Sequence, residues 1–337
     1  MLIVAAIAGG VWLAWPRLFA SPITTGPMVQ MLAPDGFVLV WQMRPAESAS
    51  VTVRHEGGES VGVFTADRTD DRCIAEIDGL QEGALYRYEI TIAGKSGVPV
   101  LLAVGDVRTA PPPGDSFRVI AFGDSGTGKR AQYRLAERMP EYEPDLIIHT
   151  GDIVYFDGAA EDYPDHFFRP YASLLSRIPC YPCLGNHDVR TDDGAPALAA
   201  FVLPRNGPEA EPPERHYWFD FGDVRFVFID SNRTFPIYQE VVAPWLDAVL
   251  ADAGERRTIL VFHEPFFTNA RHKPAEKLQL SILPVIDRHR VNLALSGHNH
   301  LYERTHPIRD GQVVADGEGT VYITTGAGGG RLDEPPT

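Results

Sequence analysis

Cysteine and positive charge are both scarce in this 337-residue chain. Three cysteines, Cys73, Cys180 and Cys183, cannot form the disulfide scaffold of a small secreted domain. Cys180 and Cys183 have C-x-x-C spacing, but they lie in the apolar segment IPCYPCLG, which reads as a strand. Positions i and i+3 of a strand point to opposite faces, so both, with Cys73, are expected to be small core hydrophobes. Lys and Arg number 30 against 45 Asp and Glu, a formal net charge of −15. That balance argues against a nucleic-acid surface, which needs basic patches to displace phosphate counterions. A phosphate bound here would therefore draw its counter-charge from metal ions. No internal repeat, no low-complexity tract and no apolar run of the ~20 residues that span a bilayer is present. The longest uncharged apolar run, MLIVAAIAGGVWLAW at residues 1–15, stops at Pro16-Arg17 and fits a secretory h-region. Residues 1–21 are thus expected to be a signal peptide or, alternatively, an N-terminal anchor. The protein is expected to be exported, periplasmic or extracellular, with residues 1–15 as its membrane tether if they are retained.

The sequence also lacks one hydroxyl that would otherwise mislead. Gly123 to Lys129 in FGDSGTGKR fits G-x-x-x-x-G-K, but a P-loop needs Ser or Thr next, to hold Mg²⁺, and Arg130 stands there. The alternative is that Asp124, at the end of the apolar run VIAF, is a hard oxygen ligand presented to a metal. Lys129 is then a helix-start residue facing solvent, and Gly126 and Gly128 let the loop pack close to the site.

Two grammars divide the chain. Residues 24–112 alternate strand-like runs with turn clusters, and in YRYEITI the residues Tyr86, Tyr88, Ile90 and Ile92 fall on one face. This is the pattern of an antiparallel sandwich. Within it, Leu80 to Tyr86 resembles the corner of fibronectin type III domains, where a Leu six residues before a Tyr closes the two sheets. The run Ala110-Pro-Pro-Pro-Gly114 cannot continue a ladder and reads as a linker. From residue 116 to 337 apolar runs alternate with helical stretches near 128–139, 161–176, 238–253 and 276–289. The prediction is an α/β (α+β) unit, a mixed sheet covered on both faces, with ligands at the C-terminal ends of its strands.

Those strand ends carry ligand-type residues: Gly123-Asp124-Ser-Gly126, Gly151-Asp152-Ile-Val-Tyr155, Gly185-Asn186-His187-Asp188, His263, and Gly297-His298-Asn-His300. Each alone is a common turn or core motif. Together, carboxylates, imidazoles and one amide at five strand ends are the hard-oxygen and imidazole set that two adjacent metal ions require. The five blocks resemble those of the calcineurin-like metallophosphoesterase superfamily, and within it the purple acid phosphatases: GD-x-G, GD-x-x-Y, GNH-D/E, V-x-x-H and GH-x-H. The resemblance covers residues 116–330, the fourth block taking the form Leu260-Val261-Phe262-His263.

The resemblance implies a metallophosphoesterase sandwich of mixed sheets flanked by helices, preceded by the fibronectin-like domain. It also implies two metal ions. Asp124, Tyr155 and His300 would bind the first, as Fe³⁺ with a coloured phenolate bond. Asn186, His263 and His298 would bind the second, as Zn²⁺, Mn²⁺ or Fe²⁺, and Asp152 would bridge both. His187 would contact phosphate and protonate the leaving oxygen, with His272 on the substrate side and Asp188 orienting His187 or supporting the ligands. Tyr302, Glu303 and Arg304 would be structural. The implied reaction is hydrolysis of small phosphomonoesters by a metal-bound hydroxide. The alternatives are a phosphodiesterase and, from another class, a surface-binding module with an inactive site. Relatives continue with further strands after the glycine-rich turn GAGGGRLDEPPT, so a short C-terminus is expected.

Overall fold

A computed structural model describes residues 22–44, 48–94 and 98–333; the apolar run at residues 1–15 lies outside them. The N-terminal part is all β. One antiparallel sheet orders β1 (Ile23–Ala33), β2 (Gly36–Met43), β6 (Arg72–Ile77) and β5 (Asp67–Thr69) as β1-β2-β6-β5. The other orders β4 (Ser60–Thr65), β3 (Ala49–His55), β7 (Leu85–Ile92) and β8 (Val100–Arg108) as β4-β3-β7-β8. In β7 the alternation is expressed directly: Tyr86, Tyr88 and Ile90 are buried while Arg87 faces water. The Tyr86 hydroxyl accepts the Gln81 N–H at 2.8 Å, closing the corner that the Leu80–Tyr86 spacing suggested.

The sandwich is sealed onto the C-terminal unit. Gln30, fully buried on β1, donates its amide to the Cys180 carbonyl at 2.8 Å. The Tyr88 hydroxyl donates to the Ser176 carbonyl at 2.8 Å, and one continuous apolar core runs across the junction.

Beyond Ala110–Gly114, two sheets form: the local pattern alone suggests one mixed sheet, whereas the sandwich of mixed sheets implied by the resemblance is what is found. A parallel sheet orders β9 (Val119–Phe122), β10 (Leu146–His149) and β11 (Cys180–Pro182) as β11-β10-β9. The second joins β12 (Tyr217–Phe221), β13 (Val224–Phe228), β14 (Arg257–Val261), β15 (Leu293–Ser296), β16 (Tyr302–Arg304) and β19 (Val321–Thr325) as β12-β13-β14-β15-β19-β16. Its central strands are parallel and its two edge strands antiparallel. A small hairpin, β17 (Ile308–Arg309) and β18 (Gln312–Val313), stands apart. The sheets meet at their C-terminal ends, where the Gly123 N–H donates to the Thr325 carbonyl at 3.0 Å.

Helix α1 (Arg130–Arg138) follows β9 and α2 (Arg169–Leu175) follows β10. The stretch expected as one helix at 161–176 breaks into a 3₁₀ turn, a π turn and α2, with Pro164 and Pro170 each opening a segment. A short α3 (Ala195–Ala200) and the turn α4 (Phe235–Ile237) precede α5 (Ala243–Ala251) and α6 (Glu276–His289). The apolar faces of α5 and α6 cover the larger sheet. Cys73, Cys180 and Cys183 are buried free thiols.

Candidate metal centre

Parallel pairing sends the C-terminal ends of β9, β10, β11, β14 and β15 to one edge of the molecule, and the candidate residues sit in the turns just past them. These turns are tight. Asp124, Asp152 and His298 adopt φ of 58°, 53° and 67°, a left-handed conformation unusual for non-glycine residues. Such turns persist where surrounding bonds over-determine them: the Asp124 N–H donates to the Gly151 carbonyl at 2.9 Å, and the His298 N–H donates to Asp124 Oδ2 at 2.9 Å. The glycines preceding the ligand-type residues are there for clearance. A Cβ on Gly185 would collide with Asp152 Oδ1, and one on Gly297 with Asp124 Oδ2.

The side chains converge in two overlapping groups. The Tyr155 hydroxyl donates to Asp124 Oδ1 at 3.2 Å and lies 3.0 Å from His300 Nε2, which is itself 3.4 Å from Asp124 Oδ1. On the other side, His263 Nε2 is 3.2 Å from Asn186 Oδ1 and 3.4 Å from Asp152 Oδ1, and its ring stands 5.1 Å from that of His298. Asp152, which bonds toward His263 on one side, is also close enough to Tyr155 to disfavour its phenolate, so it stands between the groups. Asp124, Asp152 and His263 offer ligand atoms within 4.8 Å of one another.

The electrostatics are those of charges held out of water. Asp124 and Asp152 are 0% and 2% exposed. Burial pushes the Asp124 carboxyl up, partly opposed by the His300 hydrogen bond. Burial pushes Asp152 the same way, but His263 and His187 outweigh it and the group sits below its ordinary value. The hydrogen bond to Asp124 lifts His300 to about 9. Burial, with His263 and His272 close by, lowers His298 to about 3. Burial and then Asp124 push the Tyr155 phenol well up.

His187, His272 and Asp188 occupy different surroundings. The His187 N–H donates to Asp152 Oδ1 at 3.0 Å, and its ring Nδ1 donates to the Phe156 carbonyl at 2.6 Å. Its Nε2 lies 3.9 Å from Asp152 Oδ2. His272 packs its ring 4.4 Å from that of His298, and its N–H donates to Asn299 Oδ1 at 3.0 Å. Of the two roles expected of Asp188, orienting His187 or supporting the ligands, its hydrogen bonds bear on the second. Its buried carboxylate accepts the N–H groups of Gly185 at 2.8 Å, Ile153 at 2.9 Å and Val154 at 3.3 Å, tying the GD-x-x-Y turn to the GNHD turn. Neighbouring backbone donors satisfy it before the imidazole can.

Sequence reasoning missed the residues that hold the ligand-type side chains. The His300 N–H donates to Asp333 Oδ2 at 2.8 Å and His300 Nδ1 donates to the Arg331 carbonyl at 2.7 Å. The Gly330 N–H donates to the Asp124 carbonyl at 2.8 Å. Fully buried Asn299, between the two histidines of GHNH, holds the 268–272 loop through Thr268 Oγ1 and the His272 carbonyl. No periodicity marks these residues. The only available signal was the amide at the centre of GHNH.

The donor set fits a pair of metal ions. Two buried carboxylates need positive charge nearby, and their polar partners are imidazoles, a phenol and backbone N–H groups, with no Lys or Arg. Backbone carbonyls also fix the tautomers. His263 Nδ1 donates to the Thr150 carbonyl at 2.8 Å, as His300 Nδ1 does to Arg331, so in the neutral imidazole Nε2 is the nitrogen that carries the lone pair and can bind a metal.

Comparison with known proteins agrees with this geometry. A family model described as calcineurin-like phosphoesterase matches residues 117–302. Purple acid phosphatase 21 of Arabidopsis thaliana is 27% identical over 209 residues, covering 59% of this chain and 47% of its own. A nucleotide pyrophosphatase/phosphodiesterase of Hordeum vulgare is 27% identical over 297 residues, covering 68% and 74%. A probable inactive purple acid phosphatase 9 of Arabidopsis thaliana is 27% identical over 202 residues, covering 50% and 31%. The chain thus spans less than half the length of the two Arabidopsis relatives. Among solved structures, a purple acid phosphatase from yellow lupin seeds superposes with a TM-score of 0.78 over 92% of this chain and 66% of its own, at 19% identity. That match establishes the shared fold.

Proposed function

The chain belongs to the calcineurin-like phosphoesterase family, and on that premise we propose that it is an exported dinuclear metal-dependent phosphatase acting on small phosphomonoesters. The observation that carries the reading is the division of the donors: Tyr155, His300 and Asp124 on one side, Asn186, His263 and His298 on the other, and Asp152 between. The first set, with its phenol, suits Fe³⁺, and the second suits Zn²⁺, Mn²⁺ or Fe²⁺. Bound ions supply charge against the phosphate oxygens and an activated water as nucleophile.

The chain's own residues do the rest. Because His187 Nδ1–H is committed to the Phe156 carbonyl, Nε2 is the nitrogen that can carry a second proton to a departing ester oxygen. Arg190, whose Nη2 is 3.4 Å from that nitrogen, adds positive charge beside it. His272, its ring tilted against that of His298, is the candidate for the substrate side of the phosphate. Export rests on the apolar residues 1–15 of the sequence; no helix among the described residues is long and apolar enough to cross a membrane.

The test is phosphate release from 4-nitrophenyl phosphate by the full chain loaded with iron plus zinc or manganese, with Asp152→Asn as control. Turnover that the substitution abolishes supports the reading, and folded, metal-loaded protein without turnover refutes it. The name of the barley relative favours a diesterase as the second reading, and bis(4-nitrophenyl) phosphate as substrate separates the two.

A further inference from the structure

Phe156 is the only phenylalanine among the described residues that is exposed; its ring is 65% open to solvent, whereas Tyr155 beside it is buried. Exposure alone is ordinary for a surface hydrophobic; what sets Phe156 apart is its contact with the Tyr155 and His187 rings at the edge of the candidate site. Its position is fixed by its own backbone. The Phe156 carbonyl accepts from His187 Nδ1 at 2.6 Å and from Arg190 Nη1 at 3.2 Å. The ring centroid lies 5.7 Å from that of Tyr155 and 6.2 Å from that of His187, and the Tyr155 and His187 rings are 4.6 Å apart in an edge contact. The three rings form a wall in which Phe156 is the outermost member.

We infer that Phe156 is the residue that selects the leaving group, and that the preferred substrates are aryl phosphate esters. The inference rests on the phosphatase reading in one respect only, the placement of the leaving oxygen at His187 Nε2. A group on that oxygen that extends along the His187 ring meets Phe156, whose centroid lies 6.2 Å from that of His187, and aromatic pairs form at centroid separations of about 4.5–7 Å. An aromatic group covers the exposed ring, and a small alkyl group leaves it bare. The Phe156 backbone is already held by two hydrogen bonds, so only the side chain has to be ordered on stacking.

The experiment measures binding and turnover separately on the full, metal-loaded chain. Phenylphosphonate and methylphosphonate, which are not hydrolysed, are titrated calorimetrically into the wild type, Phe156→Ala and Phe156→Trp. We expect Phe156→Ala to weaken phenylphosphonate by about 5–10-fold, the range of one aromatic contact, and methylphosphonate by less than about twofold. Phe156→Trp should keep the preference for the phenyl compound. An unchanged ratio in Phe156→Ala overturns the inference, as does equal or absent binding of phenylphosphonate by the wild type. Turnover of 4-nitrophenyl phosphate and glycerol 2-phosphate then distinguishes the two ideas. If the phosphonate preference depends on Phe156 while the wild type hydrolyses neither ester, the phosphatase reading fails and the stacking role stands. If both esters are hydrolysed and Phe156→Ala leaves their kcat/KM ratio unchanged, the stacking role fails and the phosphatase reading stands.

Discussion

Replacing Asp188 by Asn tests whether a buried carboxylate clamps the site from behind. Oδ2 accepts the Gly185 N–H at 2.8 Å, while Oδ1 accepts those of Ile153 at 2.9 Å and Val154 at 3.3 Å. Whichever way an amide is turned, its NH₂ faces a backbone N–H. At least one buried donor then loses its partner, at a cost of roughly 1–3 kcal/mol, and the NH₂ itself is misdirected. One effect opposes this. Burial, and then Asp152, push the Asp188 carboxyl up to about 7, so a neutral amide relieves a charge that is held at some expense. Three donors converging on two oxygens should outweigh that relief, giving a net loss of about 1–3 kcal/mol. At about 2–4 °C per kcal/mol in a domain of this size, the unfolding midpoint should fall by several degrees. Asp188→Ala orphans all three donors and should cost about 3–5 kcal/mol. Thermal unfolding of metal-free protein, followed by circular dichroism, orders the three proteins. An amide variant as stable as the wild type, or more so, would refute the clamp and show that the burden of the buried charge dominates.

Other consequences arise from the same geometry. Asp333→Ala removes the acceptor for the His300 N–H and should weaken iron binding at the Tyr155 side roughly tenfold, the usual effect of losing a residue that holds a ligand; unchanged iron affinity would count against the C-terminal loop as part of the site. Tyr155→Phe should keep the fold but abolish any visible phenolate absorption of the iron-loaded protein, and persistence of the band would remove Tyr155 from the ligands. Outside the ligand set, His216 and then Arg233 hold the Glu211 carboxyl below its ordinary 4.5. Its stabilising contribution is present above that value and lost as pH falls through the lower, folded-state value. Glu211→Gln should therefore lower the melting temperature at pH 6–7 and converge on the wild type in acid; a constant offset across melts from about pH 3 to 7 contradicts this.

What could be read from the sequence and what could not divide along a physical line. Strand and ligand turn are adjacent in the chain, so the apolar runs VIAF, LIIHT and LALS stand directly before their polar residues, and the structure brings them to one edge. The residues that support them do not announce themselves. Edge strand β16 has only three residues, Tyr302–Arg304, with two of them exposed, and so shows no period. The division into two sheets, implied by the resemblance and not by the local pattern, is set by pairings among distant strands that no local pattern records. The glycine-rich segment after β19 reads locally as a tail, because its bonds reach far back: Gly328 to Gly123, Gly330 to Asp124, Arg331 and Asp333 to His300.

These long-range bonds also explain why the blocks carry glycine where they do. At Gly185 and Gly297 the missing side chain is the space occupied by a carboxylate oxygen of a different block, Asp152 in one case and Asp124 in the other. A glycine in one motif is therefore a constraint imposed by the ligand of another, and the set is legible as one site only because each block leaves room for the next. Gly297→Ala puts this to the test. The added Cβ points at Asp124 Oδ2, which is also the acceptor of the His298 N–H, so relieving the clash displaces a candidate residue on each side of the site. Overpacking of this kind costs about 1–3 kcal/mol, and binding at both metal positions should fall together. A variant that loses only one metal, or neither, would show that the two groups of donors are built independently.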